Sequence, residues 1–131
     1  MIVYLIRHGE PGGNAQKKYS GGGSDEPLSP RGITLAKEAG AFYGEPRVFV
    51  SPMLRTRQTA AMLLPDAEIV LSDGIREMHF GDFEGRSHDE LLPDPRYIEW
   101  LQTQCTSECP HGESIATFRA RVSAAFDGIV R

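Results

Sequence analysis

The sequence has no apolar run near the roughly 20 residues that a membrane-spanning helix needs, so a membrane protein is not expected. No basic stretch precedes the apolar residues 2–6, which excludes the pattern of a signal peptide. Only two cysteines are present, too few for a disulfide scaffold, and a reducing cytoplasm is the expected compartment. Basic residues number 14 against 18 acidic ones, and this net charge of -4 argues against an extended nucleic-acid-binding surface.

The residues that are present fit a single α/β domain. The length of 131 residues suits one domain over residues 1–131, and 40% of the residues are hydrophobic, which is enough for a core. Short β-branched runs alternate with longer amphipathic stretches, a pattern typical of βαβ units. We therefore predict a mainly parallel sheet flanked by helices.

Local signals place the elements along the chain. The continuous apolar run Ile2–Ile6 predicts a first strand buried on both faces. A serine or aspartate followed by proline predicts a helix start, because the first residue caps the helix and proline suits its first position. This signal occurs at Ser29-Pro30, Ser51-Pro52 and Asp94-Pro95. The predicted strands are 2–6, 48–50 and 67–71, and the predicted helices are 29 to about 44, 51–64, 96–104 and 113 or 114 onward.

A histidine and an arginine follow the first predicted strand, in Arg7-His8-Gly9-Glu10. In open α/β sheets, ligands bind beyond the carboxyl ends of the strands. The neutral imidazole of histidine is available near pH 7 as a nucleophile, and a guanidinium offers a planar fork of donors to phosphate oxygens. The tripeptide alone is also compatible with a structural histidine.

A second arginine is predicted at the start of the helix after the strand 48–50. Arg55 lies in its first turn, where free N–H groups and the helix dipole favour an anion. Arg57 is two residues further on, so we expect it to point away into solvent. The two strand ends would then bring one histidine and two arginines to a single dianionic group.

A third segment supplies carboxylic acids that could protonate a leaving group. Glu77, Asp82 and Glu84 all lie in the irregular stretch 72–86. Cleavage of a phosphoester needs a proton on the departing oxygen, and a carboxyl group can deliver it. Spacing alone does not rank the three acids.

These segments, in this order, together resemble the histidine phosphatase superfamily, also called phosphoglycerate mutase-like. The resemblance covers most of residues 1–86 and rests on four motifs. It implies a three-layer α/β fold with helices on both faces of a mainly parallel sheet. The motifs are Arg7-His8-Gly9-Glu10, Leu28-Ser29-Pro30-Arg31-Gly32, the segment 51–60 and the segment 77–85.

The resemblance also implies roles for individual residues. His8 would be the nucleophile that becomes phosphohistidine, Arg7 and Arg55 would clamp the phosphate, and Glu77 would be the proton donor. Asn14 matches a position that contacts the transferred phosphate in that family, and Ser20-Gly21 resembles a loop that touches substrate. The expected ligand is a small phosphorylated metabolite, and the scheme requires no metal or other cofactor.

Within the superfamily, the segment 77–85 and the turn 110–114 look most like the α-ribazole phosphatase branch of cobalamin biosynthesis. Two alternatives remain open: a phosphoglycerate mutase-type transfer, and a non-catalytic phosphate-binding remnant. A mutase has to shield its phosphohistidine from water, and the short chain offers little material for a lid. Hydrolysis is therefore the favoured prediction.

One expected feature of the family has no counterpart in these 131 residues. The family has a second catalytic histidine in a Val-Ser-His-Gly-Gly-like segment after the last helix, whereas the sequence ends at Arg131. We expect either a C-terminally incomplete domain or a substitute, for which His79 is the nearest histidine. A strand missing from the sheet would expose apolar edges, which leaves a homodimer open. Cys105, Cys109 and His111 make a partial zinc site conceivable, although two free thiols are the more ordinary interpretation.

Overall fold

Six helices and two strands make up the regular structure of the described residues. The computed structural model describes residues 2–44 and 47–131, without the side chains of residues 14 and 15. In chain order the elements are α1 (Gly12–Ala15), α2 (Pro30–Ala39), β1 (Arg47–Val50), α3 (Leu54–Leu63), β2 (Glu68–Leu71), α4 (His88–Leu91), α5 (Pro95–Gln102) and α6 (Ile115–Val130). Two short 3-10 turns, Asp73–Ile75 and Gly81–Phe83, interrupt the otherwise irregular segment between β2 and α4.

Strands β1 and β2 are parallel neighbours joined by α3. Their register runs from Arg47 opposite Glu68 to Val50 opposite Leu71. Parallel strands need a crossover connection, and α3 supplies it. The N–H of Ser72 extends the pairing by donating to the Val50 carbonyl at 2.8 Å. The predicted α/β class with a parallel sheet is confirmed, as are the strands predicted at 48–50 and 67–71 within one residue.

Helix α2 begins where the sequence predicts and ends earlier. The Ser29 hydroxyl accepts a hydrogen bond from the Gly32 N–H, and Pro30 occupies the first helical position. Gly40 then adopts a φ of 79°, a left-handed value that favours glycine and terminates helices. The end predicted at Gly44 is therefore four residues too late, because Gly40 supplies the same signal first.

Helix α3 shows a larger departure from the predicted cap. Its N-cap residue is Met53 rather than Ser51, and no side chain of its own segment caps it. The Leu54 N–H donates instead to the Asp25 carboxylate at 2.6 Å. The Ser51 hydroxyl bonds with the Thr56 hydroxyl at 2.9 Å. The helix is capped from a distant loop, a contact that local sequence signals do not contain.

The predicted first strand is wrong. Residues 2–6 are not strand, and Ile2, Tyr4 and Leu5 are 78%, 81% and 85% exposed. Among the described residues, the only strand ladder joins β1 to β2. An apolar run forms a strand only where a neighbouring backbone pairs with it and other layers cover its faces, and neither happens here. Tyr4 and Ile6 line a cleft beside β1 instead.

The core is an aromatic cluster formed by the second half of the chain. Phe83, Tyr97 and Leu91 are fully buried, and Trp100 is 4% exposed. The rings of Phe83 and Trp100 lie 5.5 Å apart, and those of Phe83 and Tyr97 lie 5.3 Å apart. Tyr97 and Trp100 therefore pack in the core and do not form an exposed stacking surface.

Local capping explains the helices that surround this core. Asp94 caps α5 and Ser114 caps α6, as predicted. Helix α4 was not predicted, although Ser87 and Glu90 form a capping box that carries the signal. The longest helix, α6, has 16 residues. In the part of the chain that the structure describes, no helix has the length and apolar character to cross a bilayer.

Two adjacent leucines provide a matched test of the core. Leu91 is fully buried in the aromatic cluster, whereas Leu92 is 44% exposed. We expect Leu91→Ala to lower the free energy of unfolding by about 2–5 kcal/mol, because the truncation leaves a cavity. Leu92→Ala should change it by about 0.5 kcal/mol or less. Urea denaturation measures both, and equal losses would contradict this description of the core.

Candidate active site

A cleft of about 330 Å³ opens beside β1 and the start of α3. Four of the residues singled out from the sequence line it together: Arg7, His8, Arg55 and Glu77. They come from the segment after residues 2–6, the first turn of α3, and the irregular stretch after β2. The fold therefore brings these four residues together, although the first and the last of them are 70 residues apart in the sequence.

The hydrogen bond of His8 determines its tautomer. Nδ1 of His8 lies 2.7 Å from the carbonyl oxygen of Gly9. A carbonyl oxygen can only accept, so Nδ1 must carry the proton. In the neutral ring, Nε2 then keeps its lone pair. The local backbone thus leaves Nε2 as the ring nitrogen of His8 that could act as a nucleophile.

A threonine of α3 links the histidine segment to the arginine helix. The Gly9 N–H donates to the Thr59 hydroxyl at 3.0 Å, and that hydroxyl donates to the Arg55 carbonyl at 2.8 Å. Thr59 is 5% exposed. Thr59 was not predicted as a site residue, although it follows Arg55 by four residues and therefore lies on the same helix face. Thr59 fixes the position of the residue after His8 relative to Arg55.

Arg55 is buried to 1% exposure in the first turn of α3. Its Nη1 donates to the Ser24 carbonyl and its Nη2 to the Gly21 carbonyl, both at 3.2 Å. Among the described groups, none accepts a hydrogen bond from its buried Nε. A buried guanidinium with an unpaired donor beside a cleft is suited to an anion. Arg57 is exposed, as predicted.

Residues 21–24 form a glycine-rich loop that is held in place by hydrogen bonds to Glu84. Its carboxylate accepts from the N–H groups of Gly21 at 2.9 Å and Gly23 at 3.0 Å, and from the Ser24 hydroxyl at 2.7 Å. It also accepts from the Phe80 N–H at 3.0 Å. One carboxylate therefore holds the loop whose carbonyls bind Arg55.

These contacts separate the three candidate acids. Glu84 is committed to the loop, and Asp82 accepts from Arg96 at 2.8 Å and lies 3.0 Å from Nδ1 of His111. The hydrogen bonds from His111 and Arg96 lower the pKa of Asp82 below its ordinary value, which opposes a role as acid. Glu77 alone of the three lines the cleft, and its carboxylate accepts from the Met78 N–H at 2.7 Å.

Three further residues predicted for the site, Asn14, Ser20 and Gly21, differ in what the structure shows of them. Gly21 N–H binds Glu84 and its carbonyl binds Arg55, so its backbone is part of the arrangement around Arg55. The Ser20 hydroxyl is buried, and no group of the described residues pairs with it. The side chain of Asn14 lies outside the described residues, so its predicted contact stays a prediction.

The other histidines and the cysteines lie elsewhere. His79 and His111 line a second groove, and Glu77 lines both that groove and the cleft. Cys109 is fully buried in the aromatic core, and burial raises the pKa of its thiol to about 11. Across residues 2–44 and 47–131, no group of three or more His, Cys, Asp or Glu side chains is placed to hold a metal ion.

Comparison with known proteins provides independent evidence on the family. The family model described as "Histidine phosphatase superfamily (branch 1)" matches residues 3–131. Over 137 aligned residues the chain is 34% identical to "Fructose-2,6-bisphosphatase TIGAR" of Xenopus tropicalis, covering 97% of this chain and 49% of that protein. It is also 34% identical to "Probable phosphoglycerate mutase GpmB" of Enterobacter sp. (strain 638), covering 94% of this chain and 60% of that protein.

Solved structures agree with the family. A putative alpha-ribazole-5'-P phosphatase from Escherichia coli superposes with a TM-score of 0.83 at 29% identity, covering 93% of this chain and 63% of that one. The alpha-ribazole phosphatase from Shigella flexneri gives a TM-score of 0.85 at 29% identity, covering 95% and 65%. The chain thus spans about half to two thirds of the length of these relatives.

Thr59 gives the first test of this site. Thr59→Val keeps the shape of the side chain but leaves the Gly9 N–H without its acceptor and removes the hydroxyl bond to the Arg55 carbonyl. We expect a loss of about 1–3 kcal/mol in the free energy of unfolding, the usual effect of stranding a buried polar group. Thr59→Ser retains the hydroxyl and should lose less than half as much. Urea denaturation compares them, and equal stability of Thr59→Val and the parent would refute the role of the hydroxyl.

Proposed function

This chain belongs to branch 1 of the histidine phosphatase superfamily, and from that premise we propose that it cleaves phosphomonoesters through a phosphohistidine at His8. The single observation that carries the proposal is the shared cleft of Arg7, His8, Arg55 and Glu77. In that cleft a histidine able to act as a nucleophile, two arginines able to bind phosphate and one carboxylic acid occur together. This is the set of groups that phosphoryl transfer through an enzyme nucleophile requires.

In the first step, Nε2 of His8 attacks phosphorus in line with the ester oxygen. The new P–N bond forms as the P–O bond to the alcohol breaks, and Glu77 gives its proton to the departing oxygen. The proton stays on Nδ1, hydrogen-bonded to the Gly9 carbonyl oxygen, and this contact supports the positive charge that develops on the ring. The alcohol leaves, and the phosphate stays on His8.

In the second step, water attacks the phosphohistidine. The ionised Glu77 takes a proton from that water, the P–N bond breaks, and its electron pair returns to Nε2. Inorganic phosphate leaves and the starting protonation states are restored. Arg7 and the buried Arg55 would stabilise the charge on the phosphoryl oxygens in both steps, and no metal ion is needed in this scheme.

For the substrate, we favour α-ribazole 5'-phosphate, an intermediate of cobalamin biosynthesis. The similarity to two structures described as alpha-ribazole phosphatases supports this choice. So do the motif 77–85 and the turn 110–114, which resemble that branch.

For the cellular compartment, we favour a reducing cytoplasm, because the thiols of Cys105 and Cys109 are both free.

A second candidate function is phosphate transfer of the mutase type. The similarity to a probable phosphoglycerate mutase favours it. Such an enzyme would return the phosphate of His8 to the substrate at another position, whereas a phosphatase gives it to water. Assaying free phosphate and the positional isomer of a phosphoglycerate in the same reaction separates the two. Phosphate or vanadate binding without either product would identify a non-catalytic phosphate-binding protein.

His8→Ala tests the covalent step. We expect the parent chain to acquire acid-labile, base-stable label from a radiolabelled aryl phosphate, because phosphohistidine has that stability. His8→Ala should acquire none, whereas His111→Ala, a change at an exposed histidine, should label normally. Trapping detects the first step even where turnover is slow. Full turnover by His8→Ala would eliminate the covalent role.

Glu77→Gln tests the proton donor. A poor leaving group such as an alkyl alcohol needs protonation, whereas nitrophenolate leaves without much help. We expect the single-turnover rate of Glu77→Gln to fall about 10²–10⁴-fold with an alkyl phosphate, the usual contribution of a general acid. With nitrophenyl phosphate the decrease should be about tenfold or less. The same decrease for both substrates would show that Glu77 is not the acid.

A further inference from the structure

The backbone that carries Glu77 is bound to helix α6 through a single arginine. Nη1 of Arg121 donates to the carbonyls of Gly74 and Arg76, each at 3.0 Å. Its Nη2 donates to the carbonyl of Glu77 itself at 3.4 Å. One guanidinium thus binds three carbonyls of the four-residue segment 74–77.

The side chain of Glu113 fixes the same stretch of backbone on the C-terminal side of Glu77. Glu113 accepts from Arg121 with both carboxylate oxygens, from Nε and from Nη2, each at 2.8 Å. The same carboxylate accepts from the His79 N–H at 2.9 Å, and the Glu113 N–H donates to the His79 carbonyl at 2.8 Å. Glu77 therefore lies between two fixed points, with Arg121 holding residues 74–77 and Glu113 holding residue 79.

We propose that Arg121 and Glu113 are positioning residues that hold the Glu77 carboxyl at the cleft for proton transfer to the leaving group. The inference rests on the proposed function, since it assigns a purpose to the placement of Glu77. Neither side chain lies among the residues that line the cleft, whereas Glu77 does. They would act on the reaction only through the segment 74–79.

The geometry is suited to fixing a backbone position. A guanidinium is planar and presents five donors in a rigid fork, so it can bind a carboxylate on one edge and carbonyls on another. Arg121 uses it in this way. The hydrogen bonds from Arg121 hold the pKa of Glu113 below its ordinary value of 4.5, so Glu113 stays ionised near neutral pH. Both side chains are about three-quarters buried, with 27% and 21% of their area exposed.

Close packing keeps the segment on α6 as well. A side chain carbon added to Gly74 would lie 2.5 Å from the Cβ of Ala125, so the backbone of Gly74 touches the helix directly. The Arg121 guanidinium also lies over the Phe118 ring at 5.5 Å, which limits its movement. The segment and the helix therefore form one packed unit, and loss of the Arg121 fork would release the Glu77 end of it.

The test compares four variants with the parent chain. Arg121→Gln removes the charge and most donors, and Arg121→Lys keeps the charge but loses the fork. Glu113→Gln weakens the contact to Arg121 from the other side. Arg119→Gln changes an exposed arginine two residues away on the same helix and is the matched control. Thermal unfolding identifies any variant that does not fold, and Arg121→Lys then serves as the conservative substitute for Arg121→Gln.

Two measurements follow on each folded variant. Amide hydrogen exchange at residues 74–79 should accelerate in the Arg121 and Glu113 variants, with no change in the control. The single-turnover rate with an alkyl phosphate should fall about 10–100-fold, because small misplacement of a catalytic group has effects of that size. The rate with nitrophenyl phosphate should change by about threefold or less. KM for both substrates should be unchanged, since Arg7 and Arg55 bind the phosphate.

The outcomes distinguish this inference from the proposed function. Unchanged exchange at residues 74–79 would overturn the inference, and so would an equal loss of rate with both leaving groups. If Glu77→Gln shows the leaving-group dependence but the Arg121 variants do not, the role of Glu77 stands and its positioning by Arg121 is wrong. If Glu77→Gln shows no such dependence, the proposed proton donor itself is wrong, and the inference fails with it.

Discussion

The candidate site depends on the burial of the Arg55 guanidinium. Only 1% of this residue is exposed, and its two Nη groups are satisfied by carbonyl oxygens of the glycine-rich loop. Carbonyl dipoles do not cancel a full charge, and within the described residues no carboxylate forms an ion pair with Arg55. A buried charge without a counter-charge costs several kcal/mol, and an anion bound at the cleft would offset that cost. The phosphoryl group would supply that charge.

Two side chains, Thr59 and Glu84, connect the buried Arg55 and its helix to the neighbouring segments. Thr59 joins its helix to the residue after His8, and Glu84 holds the loop that binds its Nη groups. Movement of the loop would leave the Nη groups of the guanidinium without their carbonyl partners, and movement of Thr59 would break the contact to the Gly9 N–H. The segment of His8, the Arg55 guanidinium and the loop are therefore held in one arrangement. Because Glu84 also binds the Phe80 N–H, the loop is connected to the stretch that carries Glu77.

Much of the local structure was predictable. Ser29-Pro30, Asp94-Pro95 and Ser114 cap the helices that they predict, because a cap depends on residues only three or four positions away. The strands β1 and β2 and the place of Arg55 in a first helical turn were also predictable. The strand at residues 2–6 was not, because apolar character alone supplies no paired neighbour. The cap of α3 by Asp25 escaped prediction for a related reason, since its partner lies 29 residues away.

The sequence by itself determined the chemical inventory of this protein: one histidine between an arginine and a glycine, a second arginine at a helix start, and three acids that could each donate a proton. Spacing did not rank these acids, and the family resemblance favoured Glu77; only the tertiary structure showed which of them lies at the cleft, because their partners come from other segments. Glu84 binds the glycine-rich loop about 60 residues away, Asp82 binds Arg96 and His111, and Glu77 reaches the cleft. Residue type limits the chemistry that is available to a side chain, but its hydrogen-bond partners determine which role it can take. Those partners are brought together only by folding.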